Sequence, residues 1–66
     1  MNSTTIKRRI SALGAILTVS LYEKRYQAVV HIDSRIHPHV EGLPLPDLDE
    51  AIEHALNNAE RIKRKL

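Results

Sequence analysis

The chain has 66 residues, no Cys, Phe or Trp, two Tyr, 42% apolar residues and a net charge of +2 with a pI near 9.3. That length allows one small domain, residues 1–66: a 60-residue domain buries only about 60% of the surface its unfolded chain exposes. The absence of cysteine excludes disulfides and thiolate metal sites, and the mild basicity permits contact with nucleic acid without requiring it.

Taken in chain order, Ile6, Ile10 and Leu13 fall on a helical stripe, with Ser3 or Thr4 as cap and Gly14 as the stop. A short helix over residues 4–13 is the expectation. A strand from about Ile10 with a bulge at Gly14 is the alternative, favoured by the poor fit of Lys7, Arg8 and Arg9 to the positive end of a helix dipole.

Residues 15–22 and 26–33 are rich in strand formers and separated only by Glu23, Lys24 and Arg25, a length typical of a hairpin. The turn lacks the usual Gly or Asn. With period-two alternation, Ala15, Leu17, Val19 and Leu21 share a face with Tyr26, Ala28, Val30 and Ile32. That face is the expected seat for a helix. The opposite face carries Thr18, Ser20, Gln27 and His31, interrupted by Ile16, Tyr22 and Val29.

Residues 34–46 form a connector whose prolines allow an edge strand at most. Residues 47–65 then carry the strongest signal in the chain. Leu48, Ala51, Ile52, Ala55, Leu56, Ala59, Ile62 and Leu66 recur at steps of three and four, as one apolar stripe of a helix requires. Asp47 is placed to cap it, with Glu50 three residues on; Asp49 and Glu53 reinforce the acidic start, and Arg61, Lys63, Arg64 and Lys65 crowd the end.

The expected fold is therefore α+β, an antiparallel hairpin packed against a long C-terminal amphipathic helix, with a short N-terminal helix. A two-stranded sheet is marginal alone, and so small a core calls for a partner. A homodimer formed through the sheet is the expected remedy.

Seven of the ten cationic residues lie in two clusters, Lys7, Arg8, Arg9 and Arg61, Lys63, Arg64, Lys65. Together they are the candidate phosphate contacts of a nucleic-acid-binding regulator. If the connector crosses back over the sheet, the basic tail lands near Lys7–Arg9; if the helix starts beside the end of the second strand, the tail joins Lys24 and Arg25 at the hairpin tip. Cations at a helix C-terminus also have a purely structural use, and only Tyr22 and Tyr26 are available for base stacking.

His31, His37 and His39, with Asp33 and Glu41, are the sharpest metal candidate, but their spacing fits no known metal motif, so they read as solvated polar groups. Ser34 near His31 or His37 is the one hydrolase-like feature, and no nucleophile elbow or phosphate loop accompanies it. His54 falls off the apolar stripe and reads as a surface residue. Neither catalysis nor a cofactor is expected.

The apolar run at residues 10–21 is too short to span a bilayer. Although Lys7, Arg8 and Arg9 precede it as in a secretion signal, Glu23, Lys24 and Arg25 follow without a small-residue cleavage site. The last helix, Ala-rich on its apolar face and acidic in its first half, is not built to lie on a membrane. A cytoplasmic location is expected.

The segment from Tyr26 to His31, with Pro46 to Ile52 and Ala55 to Ala59, resembles the HicB-type antitoxin domain, in which a tyrosine-led strand and a short sheet precede a helix. The resemblance covers about half the chain. It departs from that family in lacking clear glycine-bounded second and third strands and in the whole element before Tyr26, and no residue roles carry over. The sequence thus points first to a small regulatory or adaptor protein that binds another protein, and second to a nucleic-acid-binding regulator.

Overall fold

The N-terminal segment forms a helix because its end is fully built. In the computed structural model, which describes residues 3–33, 35 and 38–65, helix α1 spans Ser3–Leu13 and closes on Gly14 at φ +64°. The Gly14 N–H donates to the Ser11 carbonyl (3.0 Å) and the Ala15 N–H to the Ile10 carbonyl (3.1 Å). These are the two bonds of a Schellman stop, and the left-handed residue they need is the glycine. Ser34, His37 and Leu66, weighed above, lie outside the described residues.

Strands β1 (Ile16–Tyr22) and β2 (Arg25–His31) pair antiparallel with Leu17 opposite Val30, Val19 opposite Ala28 and Leu21 opposite Tyr26. The expected faces are thus realised. The turn is shorter than expected. Arg25 already pairs with Tyr22, leaving Glu23 and Lys24 as a two-residue loop at φ 52° and 62°. Positive φ at both positions is the type I′ geometry, whose twist matches that of the strands.

The connector supplies a third strand, β3 (His39–Glu41), antiparallel to β2. The sheet order is β1-β2-β3, so β2 is central. Beyond β3 the chain continues to a bridge between Leu45 and Tyr26, which brings it back to the hairpin end of the sheet. Helix α2 (Leu48–Lys65) starts there; the Asp47 carboxylate caps it by accepting from the Glu50 N–H at 3.0 Å.

Helix α2 lies on β2 and β3. Ala28, Val30 and Val40 from the sheet meet Ile52, Ala55, Leu56 and Ala59 from the helix, with Leu13 and Ile32 closing the end. Leu56 and Val30 are the largest fully buried side chains; burial of each is worth about 1.5–3 kcal/mol. Close approach of α2 to the sheet margin depends on Gly42, where a Cβ would stand 2.8 Å from the Ala55 backbone nitrogen.

Two expectations about the apolar stripe need correction. Leu48 is exposed because α2 begins at the margin of the sheet, and the helix does not cover the whole hairpin face. Of the β1 residues on that face only Leu17 packs against the core. No helix among the described residues is long and apolar enough to cross a membrane.

Candidate functional site

Strand β1 has the composition of a buried strand and the position of an edge. Its sequence, Ile-Leu-Thr-Val-Ser-Leu-Tyr, contains no charge and no proline. Natural edges are ordinarily blunted by such residues, by bulges or by a covering element. Here α2 sits toward the other side of the sheet, leaving Val19 42% and Leu21 62% exposed on the helix side, while Ile16 and Tyr22 are exposed on the outer face.

The direction of the free backbone groups follows from the ladder. Tyr26 exchanges hydrogen bonds with Leu45 (2.7 and 2.9 Å) and Ala28 accepts from Gly42, so both residues point their backbone toward the β3 side. Alternation turns Arg25, Gln27, Val29 and His31 toward β1, where they meet Tyr22, Ser20, Thr18 and Ile16. The N–H and C=O groups of Leu17, Val19 and Leu21 therefore project from the free edge. Their side chains all lie on the helix side. One face of this edge is apolar, and its polar backbone groups are aligned for another strand.

One member of each basic cluster, Arg9 and Lys63, is brought to the junction of α1 and α2. Arg9 forks onto Glu60 (Nε–Oε2 2.9 Å, Nη2–Oε1 2.7 Å) and also donates to Asn57 Oδ1 at 2.8 Å. The pairing raises the Arg9 pKa and holds the Glu60 carboxyl below its usual range. One turn further on, Lys63 Nζ donates to the Leu13 carbonyl at 2.6 Å. Helix α1 has no basic residue in its own last turn, and Lys63 supplies that charge from α2.

The advance along α1 from Arg9 to Leu13 is thus matched by the advance along α2 from Asn57 to Lys63. Arg61 donates to Asn58 Oδ1 (3.3 Å) and Arg64 to the Glu60 carbonyl (3.4 Å), both within α2. Lys7, Arg8 and Lys65 are exposed. The open depression at this junction, about 490 Å³, is lined by Leu13, Glu60, Lys63 and Arg64. Its acid is already tied to Arg9 and its lysine to a carbonyl, so it presents no free acid–base pair.

His31 and His39 face each other across β2 and β3, on the side of the sheet away from α2. Their Nδ1 atoms are 3.3 Å apart, and Thr18 Oγ1 is 3.1 Å from His31 Nε2. Asp33 and Glu41 do not join them: among the described residues no group of three or more His, Asp or Glu is placed to hold a metal together. His54, off the stripe as expected, is half-buried and hydrogen-bonded. Its Nδ1 accepts from the Leu43 N–H (3.2 Å), pinning the chain after β3 onto α2. Nothing in the spacing of residues 43 and 54 announces that contact.

Comparison with known protein families, characterised proteins and solved structures finds no match to this chain. The partial resemblance to the HicB-type antitoxin domain is therefore not extended to a family assignment.

Proposed function

We propose that this is a small non-enzymatic regulatory or adaptor protein of the cytoplasm, acting on another protein as a homodimer joined through β1. The observation that carries this reading is the bare β1 edge, uncharged and apolar on the helix side, with the backbone groups of Leu17, Val19 and Leu21 projecting from it.

A two-fold axis at Val19 sets Val19 against itself, Leu17 against Leu21 of the second copy, and Thr18 against Ser20. Each of these pairs is self-compatible because β1 carries no charge. Leu17, Val19 and Leu21 then exchange six backbone hydrogen bonds with the second copy. The two three-stranded sheets become one of six strands, and the exposed Val19 and Leu21 pass into an interface. The uncovered outer face, doubled in width, becomes the surface offered to the protein partner.

The test is sedimentation of the wild-type chain beside Val19→Lys and Leu21→Lys, with circular dichroism to confirm folding. Both side chains are exposed in the single chain, so the variants retain the fold. A wild-type dimer that both lysines convert to folded monomer supports the proposal. A wild-type monomer at every concentration, or a dimer indifferent to both substitutions, refutes it.

The second reading places Lys7, Arg8, Arg9, Arg61, Lys63, Arg64 and Lys65 on nucleic-acid phosphates. It has less support, because Arg9 and Lys63 are engaged within the fold. Retention on DNA or RNA that weakens steeply with salt would favour it over the first.

A further inference from the structure

The two facing histidines of the outer sheet surface bring two imidazole nitrogens within reach of one ion. His31 ends β2 and His39 begins β3, and the ladder sets them directly opposite. Their inward neighbours Val30 and Val40 are buried, so both imidazoles stand on the far face of the sheet. The rings are 5.2 Å apart, edge to face at 78°, and turn the same nitrogen, Nδ1, toward each other at 3.3 Å.

Two nitrogen donors at about 2.0–2.1 Å from a tetrahedral ion lie about 3.3–3.4 Å from each other. A right-angled site, as in square-planar or octahedral coordination, brings them to about 2.9 Å. The observed separation matches the tetrahedral value. We propose that His31 and His39 bind one zinc ion through their Nδ1 atoms, with water completing the coordination, and that this ion staples β3 to β2.

A second observation fits the same assignment. A zinc-bound imidazole carries its proton on the other nitrogen and needs an acceptor there. His31 Nε2 has one, the Thr18 hydroxyl at 3.1 Å on the neighbouring strand β1. Without metal, the Nδ1 pair makes a hydrogen bond only if one of the two carries the proton. Zinc takes both lone pairs, and that proton moves through solvent to the Nε2 atom of the same ring.

The site sits where a small scaffold gains from it. Strand β3 has only three residues, and the chain has no disulfide to hold it. Structural metals are one of the recurrent supports of domains this small. With two protein ligands the ion is held less tightly than in a site of four, and acid weakens it further because protons compete for the imidazole nitrogens.

The experiment is titration of the isotope-labelled full chain with zinc chloride, followed by NMR of the ring nitrogens and amides and by thermal unfolding. The expected result is one zinc per chain. His31 and His39 shift to the Nε2–H form with metal on Nδ1, and the His54 ring stays unchanged. At free zinc about a hundredfold above Kd, the folded-to-unfolded ratio rises about a hundredfold. His31→Gln and His39→Gln, exposed-face substitutions that leave the core intact, each lower affinity at least about tenfold, and Thr18→Val lowers it by about tenfold.

Absence of binding overturns the proposal, as do shifts that persist in both glutamine variants. One zinc shared between two chains would overturn the staple within a single chain.

Discussion

Among the described residues, only the turn between β1 and β2 sets non-glycine residues at positive φ, so it gives a sharp test. Glu23 and Lys24 both adopt left-handed φ, at 52° and 62°. That region costs an ordinary L-residue about 1–2 kcal/mol. Replacing Lys24 by Gly removes the cost but adds about 0.5–1 kcal/mol of unfolded-chain entropy, a net gain of about 0.5–1 kcal/mol. Asn at position 23 tolerates the left-handed region better than Glu and recovers about 0.5 kcal/mol more. The double variant Glu23→Asn/Lys24→Gly should therefore be more stable by about 1–1.5 kcal/mol. For a domain of this size that raises the midpoint of thermal unfolding by about 5–10 °C. Urea and heat unfolding followed by circular dichroism, at one protein concentration, read the effect directly. The opposite control is Lys24→Pro: proline fixes φ near −65°, which the turn cannot use. A double variant no more stable than wild type, or a proline variant of unchanged stability, would refute the type I′ assignment. The register of β1 and the direction of its free backbone groups would fall with it.

Two further substitutions probe the rest of the frame. Gly42→Ala sets a Cβ 2.8 Å from the Ala55 backbone nitrogen, a helix atom that cannot swing aside; a loss of about 1–3 kcal/mol in urea unfolding is expected, and an unchanged midpoint would show that α2 does not approach the strand this closely. For Glu60 the sign of the pH effect is fixed: Arg9 lowers its folded-state pKa, so its contribution is complete at neutral pH and is lost as pH falls through the carboxylate range. Glu60→Gln should cost less than about 1 kcal/mol at neutral pH, because the pair is partly solvated, and the difference from wild type should vanish in acid.

How much of this could be read in advance depended on how local each signal was. Helix α2 was legible because its cap, its acidic start and its apolar spacing all lie within twenty residues, and the Asp47 cap is found as expected. The hairpin faces were legible for the same reason, since period-two alternation fixes them wherever the strands pair. Strand β3 is hard to see in the sequence because three residues among prolines carry no period of their own. The turn misled by one residue because Glu-Lys lacks the glycine or asparagine that marks a type I′ loop. The Arg9–Glu60 fork and the Lys63 cap on α1 join residues about fifty positions apart, and no local pattern encodes them. The fork also explains how Arg9 can lie in a helix whose dipole disfavours it: it is drawn onto an acid of α2. For the candidate sites, the absence of charge in β1 was plain from the sequence. That the helix would leave this strand uncovered was not, because the seat of α2 is set by Gly42 and by the small residues Ala51, Ala55 and Ala59.

The two proposed supports act on opposite margins of one sheet. Pairing through β1 would use the backbone edge of Leu17, Val19 and Leu21, whereas zinc on His31 and His39 would bridge β2 to β3 and touch β1 only through the Thr18 hydroxyl. Thr18 lies on the outer face and spends its backbone groups on Val29, so neither event blocks the other. The two are also separable in solution. Dilution dissociates a dimer but leaves a one-to-one metal complex intact when free zinc is held constant, and chelation does the reverse. A chain of 66 residues whose stability responded to both would have a core that β2 alone does not complete. Ala28 and Val30 are fully buried at its centre, and what varies is how firmly the strands on either side are held. Contact with another protein across the outer face would draw on the same reserve. Binding there would favour whichever of the two margins it touches, and stability measured against zinc and against dilution would report which one.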